Sequence, residues 1–403
     1  MSLPRIPTPR VLILHATAGS GHKRAALALE AAFQELVPGV HARAHDTLHF
    51  SSRLFRRGYT PTYNTLVGRA PRVWGLLYRG LENPRIHQGT SKVRHALDRV
   101  NVRELVSFIE KERPTAVVCT HFLPLEALAP RRRRGLLACP LYCVITDFTA
   151  HPFWAIDGID ASFVATAAVR EELAAWGVAW DSIHVTGIPI DPRFAQGPLD
   201  QAEARAQFQL APDRPTVLLM GGGNGVGPLA SLAERVLDLP SAPQLLVVCG
   251  KNARLRMRMR SVAEAVPGRV RVLGFTDQVP ALLSAADVIA TKAGGLTCSE
   301  SLAMQTPMVV FRPTPGQEEK NSLALSVAGA AVRARTFEQV GSSIERILAY
   351  PALQASMREA CRQLARPRAA FDVARQVLGL PAEVAGDPER AEAAHFVPAP
   401  RAL

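Results

Sequence analysis

The sequence predicts an α/β protein made of two parallel-sheet domains of the Rossmann type. One observation is the glycine-rich turn at residues 221–227, which follows the apolar run Thr216–Met220 and precedes a helical pattern. A second is the turn at residues 15–22, which follows the apolar run at 11–14 and also opens a helical pattern. A strand, a glycine turn and a helix in this order are typical of nucleotide-binding units in parallel sheets. The third is the length, because 403 residues exceed what one hydrophobic core usually serves.

Short apolar runs alternate with helical patterns in both halves of the chain, as in a parallel sheet. The predicted strands of the first half are residues 11–14, 116–119, 141–146, 162–165 and 183–185. Those of the second half are residues 217–220, 245–249, 270–273, 288–290 and 308–311. A turn-rich break at 187–215 separates the halves, so we expect one domain over 1–195 and a second over 196–365. A C-terminal helix within 366–385 is expected to cross back to the first domain, and 386–403 to be a disordered tail.

The composition argues against several classes of protein. No apolar run approaches the roughly 18 residues that a membrane-spanning helix needs, and the first residues do not have the pattern of a signal peptide. We therefore expect neither a signal peptide nor a transmembrane helix. The six cysteines are scattered and lack the spacing of a zinc site, which favours free thiols in a reducing compartment.

Positive charge is concentrated in one segment, residues 51–100. The chain has a net charge of +12, and this segment holds ten Arg or Lys residues against two acids, interleaved with five large aromatic side chains. Such a mixture suits an anionic bilayer surface, where rings enter the interface and cations meet headgroups. It also suits nucleic acid, and a solvated arginine-rich helix face is the plain structural alternative. Charge alone leaves these three interpretations open.

The two glycine turns differ in the chemistry they offer. Five glycines at 221–227 let backbone N–H groups converge on a phosphate or diphosphate beside the start of a helix. The first turn is not a dinucleotide fingerprint, because Arg24 occupies the third glycine position, and it lacks the Lys-Ser/Thr pair of a Walker loop. It offers the imidazole of His22 instead, whose pKa a helix N-terminus lowers, so that the ring stays able to accept a proton. Helix capping or anion binding is the alternative role of His22.

Five motifs in a fixed order carry a resemblance to a known family. They are Ala16-Thr-Ala-Gly-Ser-Gly-His22, Thr146-Asp-Phe-Thr-Ala-His-Pro-Phe-Trp154, Met220 to Gly227, Lys292-Ala-Gly-Gly-Leu-Thr-Cys-Ser-Glu300 and Pro315-Gly-Gln-Glu-Glu-Lys-Asn321. Together they resemble the monogalactosyldiacylglycerol synthase and processive diacylglycerol glucosyltransferase family, which is related to MurG within glycosyltransferase family 28. The resemblance covers residues 10–332. It implies the GT-B fold, with two facing Rossmann-like domains and an interdomain cleft. The implied activity is hexose transfer from UDP-glucose or UDP-galactose to diacylglycerol, with inversion at the anomeric carbon.

Inverting transfer is a direct displacement, which needs a base for the acceptor hydroxyl and stabilisation of the departing UDP. The resemblance makes His22 the expected base, with Asp147 as the rival base or the residue that orients the histidine. The expected UDP-sugar contacts comprise the glycine amides, a uracil contact, a ribose-binding carboxylate and donor-sugar contacts. They are Gly221, Gly222, Gly223, Asn224, Gly225, Phe275, Gly294, Gly295, Leu296, Thr297, Glu300, Gln317 and Glu318. The expected acceptor-side residues are Gly21, His121, His151 and Trp154, with core packing as the alternative for Trp154.

No cofactor and no metal are expected, since the chain has no Asp-x-Asp pair and glycine amides with a helix dipole can serve the diphosphate. A diacylglycerol acceptor stays in the bilayer. With this resemblance, segment 51–100 is therefore expected to dock on an anionic membrane, and a nucleic-acid partner is no longer expected. We expect a peripheral protein at the cytoplasmic face of the cell membrane.

Three other functions stay open at this point. They are MurG-like transfer to a polyprenyl-linked acceptor, a UDP-sugar epimerase or hydrolase, and a non-enzymatic UDP-sugar-binding scaffold at a membrane. Segment 51–100 and the first glycine turn argue against the polyprenyl acceptor, and the basic aromatic segment argues against the epimerase. A non-enzymatic scaffold would not explain why His22, Asp147 and Glu300 occur together. The sequence does not distinguish glucose from galactose, because one epimeric hydroxyl and a few side chains make that choice.

Overall fold

The computed structural model describes residues 8–17, 20–52, 75, 80 and 103–381. These residues fold as two compact units. The first unit comprises the described residues up to Pro192 and those from Arg368 onward, and the second is Arg193–Pro367. Nearly all of segment 51–100, together with the tail at 386–403 that was predicted to be disordered, lies outside the described residues.

A six-stranded parallel sheet forms the centre of each unit, which confirms the predicted fold class. The strands of the first unit are β1 (Arg10–His15), β2 (His41–Asp46), β3 (Ala116–Cys119), β4 (Leu141–Val144), β5 (Ala161–Val164) and β6 (Ile183–Val185). Those of the second are β7 (Thr216–Met220), β8 (Gln244–Val248), β9 (Val270–Leu273), β10 (Val288–Thr291), β11 (Met308–Phe311) and β12 (Ala331–Ala334). The spatial orders are β2-β1-β3-β4-β5-β6 and β12-β11-β10-β7-β8-β9.

Helices cover the sheets. Those of the first unit are α1 (Gly21–Leu36), α2 (Arg103–Glu112), α3 (Phe122–Arg133) and α4 (Ala167–Ala175). Those of the second are α5 (Gln201–Gln207), α6 (Leu229–Leu237), α7 (Ala253–Ala265), α8 (Val279–Ala285), α9 (Gly295–Ala303), α10 (Gln317–Val327), α11 (Phe337–Ala349) and α12 (Pro351–Leu364). The last helix, α13 (Ala369–Val377), belongs to the first unit and packs against α1. Among all the residues that the structure describes, no helix combines the length and the apolarity needed to cross a bilayer.

The outer strands β2 and β12 were missing from the strands predicted by sequence. The sequence of β2 is His-Ala-Arg-Ala-His-Asp, and within it only Ala42 is fully buried. An outer strand pairs on one side only and is partly solvated, so it needs no continuous apolar run. The inner strands are buried on both faces, which is why they could be predicted from composition.

Each sheet has one point at which the strand order reverses. In the first sheet it lies between β1 and β3, and in the second between β7 and β10. Loops leave such a point in opposite directions and open a crevice at the carboxyl ends of the strands, where ligands of open α/β sheets bind. The two glycine turns follow β1 and β7, so each lies at the reversal point of its own sheet.

Candidate active site

His22 stands in the first turn of α1 and is held by two threonines from the neighbouring strand ends. Its ring Nδ1 lies 2.6 Å from the carbonyl oxygen of Thr120 and 3.0 Å from Oγ1 of Thr146. The Thr120 hydroxyl in turn donates to the backbone carbonyl of His22 at 2.9 Å. A carbonyl oxygen only accepts, so Nδ1 carries the proton and donates it. In the neutral ring Nε2 is then the acceptor, and it is the nitrogen that can take up a proton.

The protonation state of His22 follows from its surroundings. Burial among neighbouring groups lowers the pKa of His22 to about 4, against the opposing effect of the hydrogen bond to the Thr120 carbonyl. Part of the residue still reaches the surface. The imidazole is therefore neutral near pH 7, which is the state that a general base requires.

An aromatic cluster packs around the His22 ring. The ring of His121 meets it edge-on with centroids 4.6 Å apart, and that of Trp154 lies at 6.5 Å. Phe122 stacks on His121 at 4.4 Å and on Phe153 at 5.1 Å. His121 and Trp154 are both buried, so aromatic rings shield the His22 imidazole from solvent on these sides.

The rings of His121 and His151 are fixed in the opposite tautomer from His22. Each Nδ1 accepts a hydrogen bond from a backbone N–H two residues later, that of Leu123 at 3.1 Å and that of Phe153 at 3.2 Å. An accepting Nδ1 carries no proton, so the neutral ring presents a donating Nε2–H. Burial also holds the pKa of His121 well below its ordinary value. The cluster thus combines one imidazole acceptor with two imidazole donors.

The remaining residues predicted for the acceptor side and for catalysis lie next to this cluster in the chain. Gly21 is the first residue of α1, and a side chain there would meet no atom within 4 Å. Asp147 directly follows Thr146 and is buried. The place beside Nδ1 of His22 is taken by Thr120 and Thr146, which the sequence analysis had not selected. Their signal in the sequence is their position just after β3 and β4. The roles of His22 and Asp147 stay predictions.

The glycine loop, residues 221–227, closes on itself through its own backbone. The N–H of Gly225 donates to the carbonyl of Gly222 at 2.9 Å, and that of Val226 to the carbonyl of Gly221 at 3.1 Å. The amides of Gly222, Gly223 and Asn224 donate to no group in the described part of the chain. These three consecutive amides are donors that the loop can offer to a diphosphate.

Two positions of the glycine loop admit no side chain. A Cβ on Gly221 would overlap the carbonyl oxygen of Val226, and one on Gly225 would overlap the carbonyl oxygen of Cys249. Gly225 also has a φ of 59°, a conformation that other residues rarely adopt. The N–H of Gly225 is used inside the loop, and its place among the UDP-sugar contacts stays a prediction.

A lysine stands across the reversal point from the glycine loop. Lys292 follows β10, and its ammonium pairs with the carboxylate of Glu318. The second oxygen of Glu318 accepts the N–H of Thr314 at 2.8 Å. The Lys292 Cε lies 3.7 Å from where a Cβ on Gly222 would be, so the side chain runs alongside the loop. The sequence alone does not indicate a role for Lys292.

The other predicted donor-side residues are distributed around α9 and α10. Helix α9 begins at Gly295 after Gly294, and its Glu300 is only 2% exposed, which excludes the role of a solvated helix acid. Asn321 donates from its side chain to the carbonyl of Ala293 at 3.1 Å and so ties α10 to the start of α9. The remaining three positions are the α9 residues Leu296 and Thr297 and the first α10 residue, Gln317.

Phe275 lies apart, after β9, and is 59% exposed, with the Lys251 ammonium 5.6 Å from its ring centroid. No group of three or more His, Cys, Asp or Glu suited to a metal ion occurs among the residues that the structure describes.

Sequence comparisons identify both units. The family model described as "Monogalactosyldiacylglycerol (MGDG) synthase" matches residues 22–190, and that of the "Glycosyltransferase family 28 C-terminal domain" matches residues 216–372. The processive diacylglycerol beta-glucosyltransferase of Bacillus mycoides (strain KBAB4) is 29% identical over 381 residues, which cover 93% of this chain and 94% of that protein. The same identity and coverage hold for the protein of that name from Bacillus anthracis (strain A0248).

Solved structures share the fold. MurG of Acinetobacter baumannii aligns with a TM-score of 0.56 and 17% identity, covering 92% of this chain and 100% of that chain. A UDP-GlcNAc 2-epimerase from Neisseria meningitidis, bound to UDP-GlcNAc, aligns with a TM-score of 0.58 and 13% identity at the same coverage. These similarities confirm the GT-B fold class predicted from the sequence.

Proposed function

Because the chain belongs to the monogalactosyldiacylglycerol synthase family and carries the C-terminal domain of glycosyltransferase family 28, we propose that it transfers a hexose from a UDP-sugar to diacylglycerol. The observation that carries the proposal is the state of His22. Its Nδ1 is committed to the Thr120 carbonyl, its pKa is about 4, and its Nε2 is left as a proton acceptor. An inverting displacement needs one such base.

On the acceptor side, His22 Nε2 takes the proton of the free diacylglycerol hydroxyl as that oxygen attacks the anomeric carbon. The new C–O bond forms on one face while the bond to the diphosphate oxygen breaks on the other, and the electron pair leaves with UDP. His121 presents an Nε2–H group that can donate to an acceptor or sugar oxygen. Asp147 is the alternative base.

On the donor side, the departing diphosphate gains negative charge that must be stabilised. The amides of Gly222, Gly223 and Asn224 are available for this, and the Lys292 ammonium runs beside them. Lys292 then exchanges its carboxylate partner, Glu318, for the diphosphate, and Glu318 is released to contact the sugar. A fixed cation and backbone amides do the work that a metal does elsewhere, so we propose that turnover persists in excess chelator.

We propose UDP-glucose as the donor. The curated relatives are named beta-glucosyltransferases, and inversion of the α-linked glucose of UDP-glucose yields a β-glycoside. Buried Glu300 is proposed to accept hydrogen bonds from the ribose hydroxyls, and the Phe275 backbone to contact uracil.

We further propose action at the cytoplasmic face of a membrane, with segment 51–100 docking on anionic lipid. All six cysteines are free and buried, in keeping with a reducing compartment. Neutralising Arg53, Arg56, Arg57, Arg69 and Arg72 is expected to weaken liposome binding. Unchanged binding by that variant would contradict this assignment.

The test of the function is UDP release by the purified protein, with UDP-glucose or UDP-galactose, with and without diacylglycerol in anionic liposomes. We expect release that depends on the lipid and is faster with UDP-glucose, together with a glycolipid product. Lipid-dependent release with UDP-galactose alone would keep the transferase and correct the sugar. If UDP release does not depend on the lipid, the protein is instead a hydrolase or a transferase with another acceptor.

A further inference from the structure

Helix α7 presents an exposed and strongly basic face. Its four arginines are all exposed, and they are Arg254, Arg256, Arg258 and Arg260. Lys251 lies two residues before the helix, and Glu264 is the one acid within it. Arg258 pairs with the exposed Glu234 at 2.8 Å, whereas the other three arginines form no ion pair with any described residue. Most of this charge is therefore uncompensated within the unit.

Apolar side chains are exposed on α7 and in two loops next to its start. Met257, between the arginines, is 64% exposed, while Met259 points inward and is buried. Val226 of the glycine loop and Phe275 are 57% and 59% exposed. Large apolar side chains at this exposure, set among cations, are what an interaction surface requires and what a purely solvated helix does not.

These groups form one continuous surface at the carboxyl end of the second sheet. Strands β7, β8 and β9 are neighbours, and Val226, Lys251 and Phe275 lie in the loops that follow them. The Asn252 side chain donates to the Gly225 carbonyl at 3.1 Å, which joins the start of α7 to the glycine loop. Lys251 lies over the Phe275 ring at 5.6 Å, which joins it to the loop after β9.

We propose that this surface, the α7 basic face, docks the C-terminal unit on an anionic lipid bilayer. The proposal rests on the proposed function, since a diacylglycerol acceptor is dissolved in the membrane. The charge complements acidic headgroups, and the exposed Met257 suits the interfacial layer beneath them. A nucleic acid would favour a platform of several aromatic rings, and this face has only Phe275 at its margin. It differs from segment 51–100, which belongs to the N-terminal part of the chain.

The test is sedimentation of the full chain with vesicles of phosphatidylglycerol and phosphatidylcholine in equal parts, and with vesicles of phosphatidylcholine alone. The variant is Arg254→Gln/Arg258→Gln/Arg260→Gln, in the native background and in the background with the arginines of segment 51–100 neutralised. We expect it to bind anionic vesicles more weakly by at least about tenfold in both, because each basic residue near the surface contributes about fivefold. Wild-type binding is expected to weaken as salt rises.

The matched control removes the same charge from the opposite edge of the same sheet. Arg333, Arg335 and Arg346 are exposed and lie on or after β12 and on α11. Arg333→Gln/Arg335→Gln/Arg346→Gln is expected to bind anionic vesicles as the wild type does. Met257→Gln is expected to lower binding without any change of charge. Equal weakening by the two triple variants, or wild-type binding by the α7 variant in both backgrounds, overturns the proposal.

Two further readouts separate this proposal from the proposed function. The α7 variant is expected to keep wild-type UDP-glucose affinity and wild-type turnover on diacylglycerol in micelles of neutral detergent. Absence of wild-type turnover in these micelles would contradict the proposed function. The vesicle-binding result would still test the docking surface independently. Binding of labelled duplex and single-stranded DNA is measured in parallel, because nucleic acid is the alternative ligand for a basic surface. Loss of DNA binding with retained vesicle binding in the α7 variant would assign the face to nucleic acid instead.

Discussion

At the scale of single residues, His22, the proposed base, has a backbone carbonyl and a threonine hydroxyl beside its Nδ1. The Thr120 carbonyl fixes the tautomer, and its hydroxyl holds the His22 backbone from the other side. A carbonyl stabilises an imidazolium less than a carboxylate does, because it carries only a partial charge. Burial therefore outweighs the hydrogen bond to Thr120 and keeps the pKa of His22 low, so the ring is neutral and can take up a proton in the proposed reaction.

Replacement of His22 tests its assignment as the base. We expect His22→Gln to lower kcat by roughly two to four orders of magnitude, the usual contribution of general base catalysis. UDP-glucose affinity should stay within about twofold of the wild type, because the predicted donor contacts all belong to the second unit. His184→Gln, at a partly buried position outside the aromatic cluster, is the control and should keep full activity. Full turnover by His22→Gln, with loss in Asp147→Asn, would move the base to Asp147.

The pH dependence of turnover provides a second test at this scale. Because burial lowers the pKa of His22 to about 4, the active neutral form is lost only as the pH falls through that value. The acid limb of kcat/KM should therefore fall near pH 4, well below the ordinary imidazole value of about 6.5. A limb near the ordinary value would show that the ring is more solvated than this structure has it.

At the scale of elements, the glycine loop depends on close backbone approach. We expect Gly225→Ala to destabilise the second unit by about 2 kcal/mol or more, since its Cβ would overlap the Cys249 carbonyl and its φ is positive. UDP binding should be lost with it. Gly294→Ala is the matched control for folding, because its φ is −71° and a Cβ there meets nothing within 4 Å. Thermal unfolding and titration with UDP measure both effects, and equal stability of the two variants would contradict the argument.

A largely buried carboxylate joins several elements of the second unit. Asp287, just before β10, accepts from Arg205 of α5 and from the N–H of Thr216 in β7, both at 2.7 Å. Removing one partner of a buried pair leaves the other charge uncompensated, so Asp287→Ala should cost about 3–5 kcal/mol of unfolding free energy. Asp157→Ala removes a largely exposed pair with Arg133 and should cost at most about 1 kcal/mol. Denaturant unfolding of the two variants measures the contrast, and similar costs would refute it.

At the scale of the whole molecule, the two units differ in how they respond to acid. Burial lowers the pKa of five histidines, all in the first unit, and they are His15, His22, His45, His121 and His184. The second unit, residues 193–367, contains no histidine. Buried neutral histidines bind protons more weakly in the folded state than in the unfolded state, so stability falls as the pH drops below the unfolded value of about 6.5.

Acidification should therefore weaken the first unit before the second. His22 alone contributes a loss of about 2 kcal/mol between about pH 7.5 and about pH 5, and the other four histidines add to it. Hydrogen exchange measured along the chain should show falling protection in β1, β3 and β4 over this range, with little change in β7, β8 and β10. Parallel loss of protection in both sheets would contradict the assignment.

The fold could be predicted largely from local composition, whereas much of the site could not. The inner strands and both glycine turns are visible in the sequence, because strands buried on both faces need apolar runs and tight phosphate turns need glycine. The edge strands β2 and β12 were not predicted, because a strand that pairs on one side only does not need a continuous apolar run. Lys292 was visible but received no role, because its pairing with Glu318, which lies 26 residues further on, belongs to the folded sheet.

The sequence by itself determined the alternation of strands and helices, the places of the two glycine turns and the order of the motifs that identify the family. These are properties of neighbouring residues. Only the tertiary structure decided which groups meet at the His22 ring, since Thr120 and Thr146 lie 98 and 124 residues from it in the sequence. The order β2-β1-β3-β4 brings the ends of β1, β3 and β4 close together, and strand order is set by packing between distant segments. The tautomer of His22, its low pKa and the amides left open in the glycine loop all follow from that packing.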